Sequence, residues 1–268
     1  MSEKSKLGFV GAGNMGKALI EGLVGQFPPE QITAADLRPE ALESLAALGV
    51  RTSTNAADAV GGQDLVILGL KPQVAVPVLA DLAAHMDTSQ IVVSMMAGVS
   101  TARIEELLPE GMPVVRVMPQ TLVRLRDAAC ALCAGRAVNA EQLAQVRALF
   151  DLVGTTVEVA ESQMDAVTGL SGSGPAWAYV VVEALTDGGV RSGLPREVAL
   201  KLAAQTMIGA ARLVLESGEH PAVLKDQVTS PGGTTAAGLH VLEEKGLRDA
   251  LISAVQAAAL RSAELGQS

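Results

Sequence analysis

Aromatic residues make up only 2% of this 268-residue chain, which has just two cysteines and three histidines. Because 49% of the chain is nevertheless hydrophobic, its core has to be built from Ala, Val, Leu, Ile and Met. Basic side chains are also in the minority, with 20 against 29 acidic ones and a net charge of −9. Nucleic-acid binding depends on Lys and Arg to neutralise phosphates, so this balance argues against a nucleic-acid partner.

No positively charged and then apolar leader precedes the first strand-like segment, and we expect no stretch that combines the length and apolarity of a membrane span. We therefore expect a cytoplasmic protein without a membrane partner.

Cys130 and Cys133 form a C-x-x-C pair, a spacing found in redox and metal sites. Their surroundings indicate a strand, where positions three apart point to opposite faces, and no second pair completes a zinc site. We predict two buried cysteines and no metal.

Short apolar runs alternate with helix-like segments over the first 160 residues, as is typical of βαβ units with a parallel sheet. Beyond that point the apolar residues recur at helical spacing, and Pro195 suits the first turn of a helix. We predict an α/β fold with an N-terminal Rossmann domain over 1–160, followed by an all-helical domain over 161–268. The predicted strands are 7–10, 32–35, 65–70, 91–94, 114–118, 128–132 and 155–159, and the predicted helices are 175–190, 195–218 and 247–265.

A glycine motif, G-x-G-x-x-G, stands between the first strand and the first helix. Gly11 permits a tight turn, Gly13 lets the backbone approach a pyrophosphate, and Gly16 lets the helix pack closely on the strand. The free N–H groups of the helix then face the phosphates. This context predicts a dinucleotide-binding site rather than a structural turn.

The choice between NADH and NADPH depends on two neighbouring side chains after the second strand. Asp36 favours the ribose hydroxyls of NAD, whereas Arg38 favours the additional phosphate of NADP. These signals oppose each other, and an exposed Arg–Asp pair is also common on protein surfaces. Arg38 together with Asn55 favours NADPH, with NADH as the alternative.

The run V-T-S-P-G-G-T-T interrupts the helical half of the chain at residues 228–235. Glycine and proline both destabilise a helix interior, so the run marks a turn before a new helix. Hydroxyls and free amides at a helix N-terminus bind carboxylates and phosphates. An anion site for a small acid is one interpretation, and a Gly-Gly turn with a threonine N-cap is the other.

Taken in order, G-x-G-N-M-G, L-K-P, M-A-G, R-V-M-P, G-L-S-G-S-G-P-A and K-D-Q-V-T-S-P-G-G-T-T resemble the Δ1-pyrroline-5-carboxylate reductases over nearly the whole chain. The resemblance implies reduction of 1-pyrroline-5-carboxylate to L-proline by NADPH or NADH, the last step of proline synthesis. It also implies that 161–268 is a dimerisation and substrate-binding domain. The implied assembly is a homodimer, with further association into a decamer, in which one chain's cofactor domain meets the other chain's T-S-P-G-G-T-T loop.

The same resemblance implies the site residues. Thr235 is the implied catalytic residue, because its hydroxyl would orient the ring nitrogen first and deliver a proton second. The implied substrate-binding residues are Glu161, Ser230, Gly232, Gly233, Thr234 and Thr235. The implied cofactor-binding residues are Gly11, Ala12, Gly13, Asn14, Met15, Asn55, Leu70, Lys71, Pro72, Met95, Met96, Ala97 and Gln227, beside Asp36 and Arg38. The histidines His85, His220 and His240 are expected to serve on the surface or in packing.

The chain departs from the family after R-V-M-P, where the usual Asn-Thr-Pro is replaced by Gln120, Thr121 and Leu122. Met96 is also bulkier than the family's usual alanine. We expect these changes to affect substrate size and cofactor geometry more than the reaction.

Three other functions are considered, and the sequence argues against the first of them. The β-hydroxyacid dehydrogenases share the two-domain layout but need a lysine early in the second domain, and this chain has no Lys or Asn between Gly172 and Lys201. The other two are reduction of a related cyclic imine and NADP sensing without catalysis.

Overall fold

The computed structural model of the chain describes residues 5–266. Within that range the sheet has eight strands in the order β3-β2-β1-β4-β5-β6-β7-β8. The crossover from β1 to β4 is the strand reversal of a doubly wound fold, whose ligands bind beyond the carboxyl ends of the strands. The strands are β1 (Leu7–Val10), β2 (Ile32–Ala35), β3 (Arg51–Ser53), β4 (Leu65–Leu68), β5 (Ile91–Ser94), β6 (Val114–Met118), β7 (Ala128–Ala134) and β8 (Gly154–Glu158).

Strands β1 to β6 pair in parallel, β7 pairs antiparallel with β6, and β8 pairs in parallel with β7. The predicted strand 65–70 ends two residues earlier, at Leu68, although the Gly69 amide still donates to the Val10 carbonyl of β1 over 2.9 Å. Strand β3 was not predicted, because its three residues are polar and lie at the sheet edge.

Helices cover the sheet and then fill the last third of the chain. Their bounds are α1 (Asn14–Leu23), α2 (Pro39–Ala46), α3 (Pro72–Leu82), α4 (Thr101–Glu105), α5 (Ala140–Phe150), α6 (Met164–Val167), α7 (Gly174–Arg191), α8 (Arg196–Ser217), α9 (Pro221–Gln227), α10 (Thr234–Glu244) and α11 (Leu247–Gly266). Pro195 is the N-cap of α8 rather than a residue of its first turn, so that detail of the prediction is wrong.

The two faces of the sheet carry separate apolar clusters. Cys130 lies in the larger one, with Phe9 and Phe150, whereas Cys133 lies in another, with Met118 and Met164. The prediction that the two cysteines point to opposite faces and are buried is therefore confirmed. Burial raises the pKa of the Cys130 thiol to about 12 and that of the Cys133 thiol to about 11.

The described chain divides into two compact units. The sheet unit contains residues 5–172 and 257–266, and the helical unit contains residues 173–256. Within the helical unit the buried residues are Thr186, Ala199 and Ala203. Many of its large apolar side chains are exposed, for example Leu202 at 55% and Ile208 at 54%.

Helix α8 is long and apolar enough to cross a membrane by length and composition alone. The expectation that no stretch combines these properties is therefore wrong. Its Ala, Leu, Val and Ile residues lie on several sides of the helix rather than on one, so the helix is apolar as a whole. The same composition suits a helix that is covered by protein on all sides.

Candidate active site

The glycine turn after β1 has the geometry that its sequence predicts. Gly11 has a left-handed φ of +98°, and a Cβ there would lie 2.7 Å from the Gly69 carbonyl oxygen. A Cβ on Gly16 would lie 2.3 Å from the Gly11 carbonyl oxygen, so helix α1 packs directly against the turn. At Gly13 a Cβ would meet no atom within 4 Å, which leaves this part of the backbone open to a ligand.

The N-terminus of α1 is free to bind an anion. Its N-cap, Gly13, provides no side-chain hydrogen bond, and the first turn contains no acidic residue. Helix α5, by contrast, is closed by a capping box between Asn139 and Gln142. The unsatisfied N–H groups of α1 and its dipole therefore suit a pyrophosphate, and the residues of the turn fit a dinucleotide.

A cleft of about 480 Å³ opens beside this turn at the carboxyl ends of β1, β2 and β4. Of the predicted cofactor residues, six line it: Gly11, Gly13, Asp36, Arg38, Leu70 and Lys71. Sequence reasoning missed Leu37, Thr54 and Val74, which also line it. Leu37 is 86% exposed. Its place between Asp36 and Arg38 after β2 was the signal in the sequence that could have identified it as a cofactor contact. Such a side chain suits the flat face of a nucleotide base.

Asp36 connects the glycine turn to Arg38. Its carboxylate accepts hydrogen bonds from the Ala12 amide at 3.0 Å, the Arg38 amide at 3.0 Å and the Arg38 Nε at 3.2 Å. Burial opposes ionisation, but the hydrogen bonds from Arg38 and Ala12 and the Arg38 charge outweigh it and lower the Asp36 pKa. Asp36 therefore stays ionised at neutral pH, while the Arg38 side chain remains 60% exposed.

The other predicted cofactor residues lie outside the lining of the cleft. Asn14 begins α1, Met15 packs partly on the core, and Pro72 begins α3. Asn55 caps the 3₁₀ turn Ala56–Ala59, with its Oδ1 accepting from the Ala57 amide at 3.2 Å.

The segment after β5 contains Met95, Met96 and Ala97. The Met96 side chain is 1% exposed and packs in the apolar core, so only its backbone is available to a cofactor. Met95 and Ala97 are half-buried against two other apolar clusters. Gln227 ends α9 in the helical unit, where its Nε2 donates to Glu219 at 2.9 Å.

The T-S-P-G-G-T-T loop leads directly into α10. Gly232 has a left-handed φ of +67°, and Gly233 is the N-cap, with extended backbone angles and no side-chain hydrogen bond. Thr234 and Thr235 are the first two helical residues, so the alternative of a threonine N-cap is wrong. A Cβ on Gly233 would lie 2.3 Å from the Ser230 Oγ. Like α1, α10 starts after a glycine, without a side-chain cap or an acidic first turn.

Glu161 makes hydrogen bonds and an ion pair within the sheet unit. It forms an ion pair with Arg116 and accepts from both the amide and the hydroxyl of Thr101. Gln120, which replaces the family's usual asparagine, is 8% exposed, and its Nε2 donates to the Ser171 carbonyl at 3.3 Å.

All three histidines are exposed, and the His220 Nδ1 accepts the Ala222 amide at the start of α9. Among residues 5–266, no group of His, Cys, Asp and Glu side chains could hold a metal ion.

Two family models match the chain. One, described as pyrroline-5-carboxylate reductase dimerisation, matches residues 161–265. The other, described as NADP oxidoreductase coenzyme F420-dependent, matches residues 6–98 and contains the glycine turn. A pyrroline-5-carboxylate reductase of Methanosarcina acetivorans is 47% identical over 268 residues, which are 99% of each chain.

The chain belongs to the pyrroline-5-carboxylate reductase family. Its fold agrees with solved members of that family. A pyrroline-5-carboxylate reductase of Coxiella burnetii superimposes with a TM-score of 0.91 at 33% identity, over 99% of this chain and 100% of the other. A Plasmodium falciparum pyrroline carboxylate reductase, crystallised with NADP bound, gives a TM-score of 0.90 at 30% identity over the same shares. The predicted α/β fold with a Rossmann domain and a helical dimerisation domain is confirmed.

Proposed function

We propose that this chain reduces the cyclic imine of 1-pyrroline-5-carboxylate to L-proline with NADPH or NADH. One observation carries this function: full-length relatives that are 43–47% identical are named pyrroline-5-carboxylate reductase. The chain is an NAD(P)H-dependent oxidoreductase of proline synthesis, as its motifs predict.

The reaction requires little acid–base chemistry from the protein. A protonated cyclic imine is already a good electrophile, and the nicotinamide, when bound, supplies the hydride to its carbon. The chain has to hold both reactants in line and remain bonded to the nitrogen as it becomes an amine. This requirement agrees with a site that offers amides and hydroxyls rather than a histidine and carboxylate pair.

The T-S-P-G-G-T-T loop is proposed to bind the substrate carboxylate. The free amides at the start of α10 and the Ser230 hydroxyl would hold the two carboxylate oxygens, with Gly232, Gly233 and Thr234 forming the backbone of the turn. Thr235 would donate its hydroxyl to the ring nitrogen. A threonine hydroxyl is a weak acid, so orientation is its first role and proton delivery its second.

NADPH is proposed as the preferred cofactor. The mostly exposed Arg38 side chain supplies a positive charge for the additional phosphate of NADPH. Asp36, by contrast, already accepts two backbone amides and the Arg38 side chain. These bonds reduce the acceptor capacity that remains for the ribose hydroxyls of NADH.

The dimerisation domain indicates an oligomer, and we propose a homodimer that assembles further into a decamer, in the cytoplasm and without a nucleic-acid or membrane partner. The exposed apolar side chains of the helical unit support association. We keep the predicted boundary between residues 160 and 161 as the start of the dimerisation domain, and the family match that begins at residue 161 supports it.

Turnover of 1-pyrroline-5-carboxylate by the purified chain tests the function. We expect oxidation of NADPH, followed at the nicotinamide absorbance, to depend on the substrate and to yield proline. The six-membered homologue of the imine serves as the comparison substrate. Preference for that homologue would indicate a related imine reductase, and NADPH binding without turnover of either compound would indicate a sensor.

A further inference from the structure

Arg116 places a positive charge inside the sheet. It lies on β6, opposite Ser94 of β5 and Cys133 of β7, and all three side chains are buried. Two of its guanidinium nitrogens, Nε and Nη2, have no hydrogen-bond partner. A buried guanidinium is costly unless it is paired, so the stability of this part of the sheet depends on the partner of its third nitrogen.

That partner is Glu161, whose acceptor positions are nearly all in use. One carboxylate oxygen pairs with the Arg116 Nη1. The other accepts from the Thr101 amide at 3.1 Å and from the Thr101 hydroxyl at 2.8 Å. The Cys133 thiol lies 3.7 Å from the same oxygen. Because a carboxylate offers about four acceptor positions, little capacity remains for a substrate.

Glu161 stays charged in this environment. Burial favours its neutral form, but the hydrogen bonds from Thr101 and Arg116 and the Arg116 charge outweigh burial, so the Glu161 pKa lies below its usual value. The carboxylate therefore compensates the buried guanidinium at all pH values near neutrality.

The Glu161 carboxylate joins two segments that are distant in sequence. Thr101 begins α4 directly after the segment Met95–Ser100, which leaves the carboxyl end of β5. Glu161 begins the 3₁₀ turn Glu161–Gln163, which precedes α6 and the π-helical segment Thr168–Gly172. In an open α/β sheet the carboxyl ends of the strands border the ligand crevice, so Met95–Ser100 is on the ligand side of the sheet.

We propose that Arg116 and Glu161 are positioning residues that fix the Met95–Ser100 segment for cofactor binding, and that Glu161 acts through Thr101 instead of contacting the substrate. The proposal rests on the proposed function only in taking NADPH as the cofactor. It replaces the role that the family resemblance implies for Glu161.

Three variants separate positioning from substrate contact. Glu161→Gln keeps the shape of the side chain but removes its charge, and Arg116→Met removes the buried cation. The double variant leaves a neutral pair. Arg103→Met with Glu106→Gln is the matched control, since Arg103 lies on α4 and Glu106 is its C-cap, but the two side chains are 55% and 59% exposed. Exposed ion pairs of this kind contribute little to the stability of a protein.

The first measurement is the Kd for NADPH from nicotinamide fluorescence without substrate, made well below each melting temperature. We expect each single variant to weaken NADPH binding by roughly fivefold or more, the lower end of coupling between linked sites. The double variant should be no weaker than the worse single one, because the two residues act as one unit. The control pair should leave the Kd unchanged.

Three results would overturn the proposal, and a fourth would reject only the proposed function. An unchanged Kd for NADPH with a raised KM for 1-pyrroline-5-carboxylate would mean that Glu161 contacts the substrate. Lower melting temperatures with both constants unchanged would mean that the pair only stabilises the fold. If the single variants, each of which leaves one charge without its partner, fail to fold, Thr101→Val keeps the ion pair and removes only the hydroxyl hydrogen bond. An unchanged Kd for NADPH in Thr101→Val would then reject the positioning role. A Kd effect without turnover in any form would reject the proposed function alone.

Discussion

Thr235 is half-buried and is the second residue of α10, whose N-cap is Gly233. Because the cap is Gly233 rather than a threonine, the Thr235 side chain is not needed to start the helix. Thr235→Ala should therefore leave the melting temperature and the Kd for NADPH nearly unchanged. Loss of a hydrogen bond to a developing charge costs about 1.5–3 kcal/mol, so kcat/KM should fall roughly ten- to a hundredfold.

Thr235→Ser is the control for this prediction, since it retains the hydroxyl and should recover most of the activity. Steady-state kinetics and thermal unfolding of both variants provide the comparison. A Thr235→Ala variant that loses stability but keeps its kcat/KM would assign the threonine to the fold alone.

Arg38 should decide the choice of cofactor. Its side chain is 60% exposed and is anchored to Asp36 through Nε, which leaves its terminal nitrogens available to a phosphate. Arg38→Ala should weaken NADPH binding roughly ten- to a hundredfold, as expected for the loss of charge-assisted bonds. NADH binding should change little, and it is the internal control. Titrations with both cofactors test this, and equal losses would show that Arg38 does not read the phosphate.

Gly232 controls the shape of the loop before α10. Its φ of +67° costs a side chain about 1–2 kcal/mol, even though a Cβ there would meet no atom within 4 Å. Gly62 in the sheet unit has a φ of +69° and equally open surroundings, so it is a matched position outside the proposed site. We expect Gly232→Ala and Gly62→Ala to lose similar stability, but only Gly232→Ala to lose kcat/KM.

Denaturant unfolding and steady-state kinetics distinguish the two positions. If the kinetic effects are equal, the loop geometry does not matter to the substrate.

Gly233 needs a different argument, because its backbone is extended and the obstacle to a side chain is the Ser230 Oγ. A variant such as Gly233→Val would displace that hydroxyl rather than strain the chain.

Periodicity predicted the long buried strands well, because each is a continuous apolar run between breaks. It could not predict β3, whose exposed Arg51 and Thr52 carry no apolar signal. The reversed direction of β7 was also unreadable, since strand direction depends on tertiary pairing. The pairing of Arg116 with Glu161 joins residues 45 positions apart, and a single charge in V-V-R-V-M does not identify its partner. The glycine turn was predictable because each glycine of G-x-G-x-x-G stands where the turn needs an unusual backbone angle or a close approach of the backbone.

The whole chain needs a partner to cover its helical unit. Its 84 residues, from 173 to 256, include only three buried ones within the described structure, whereas large side chains such as Leu215 are up to 84% exposed. So much exposed apolar surface is unusual for a monomer. We expect light scattering at micromolar concentration to give a dimer or a larger assembly, with no monomer of 27.4 kDa.

Ile208→Glu places a charge on exposed apolar α8 and should shift the assembly towards monomer. Ala144→Glu adds the same charge to an exposed position of α5 in the sheet unit and is the control. The same mass for both variants would mean that α8 does not contribute to the interface. A monodisperse wild-type monomer would contradict the assembly itself.

The two buried thiols of β7 can be used to measure local opening of the sheet. Cys130 and Cys133 are shielded in different apolar clusters, and burial holds their pKa values at about 12 and about 11. Near pH 8 a thiol reagent therefore meets almost no thiolate in the closed state. Labelling rates at each cysteine consequently measure how often its face of the sheet opens. Different rates would mean that the two faces come apart in separate events, and equal rates that the sheet opens as one cooperative unit.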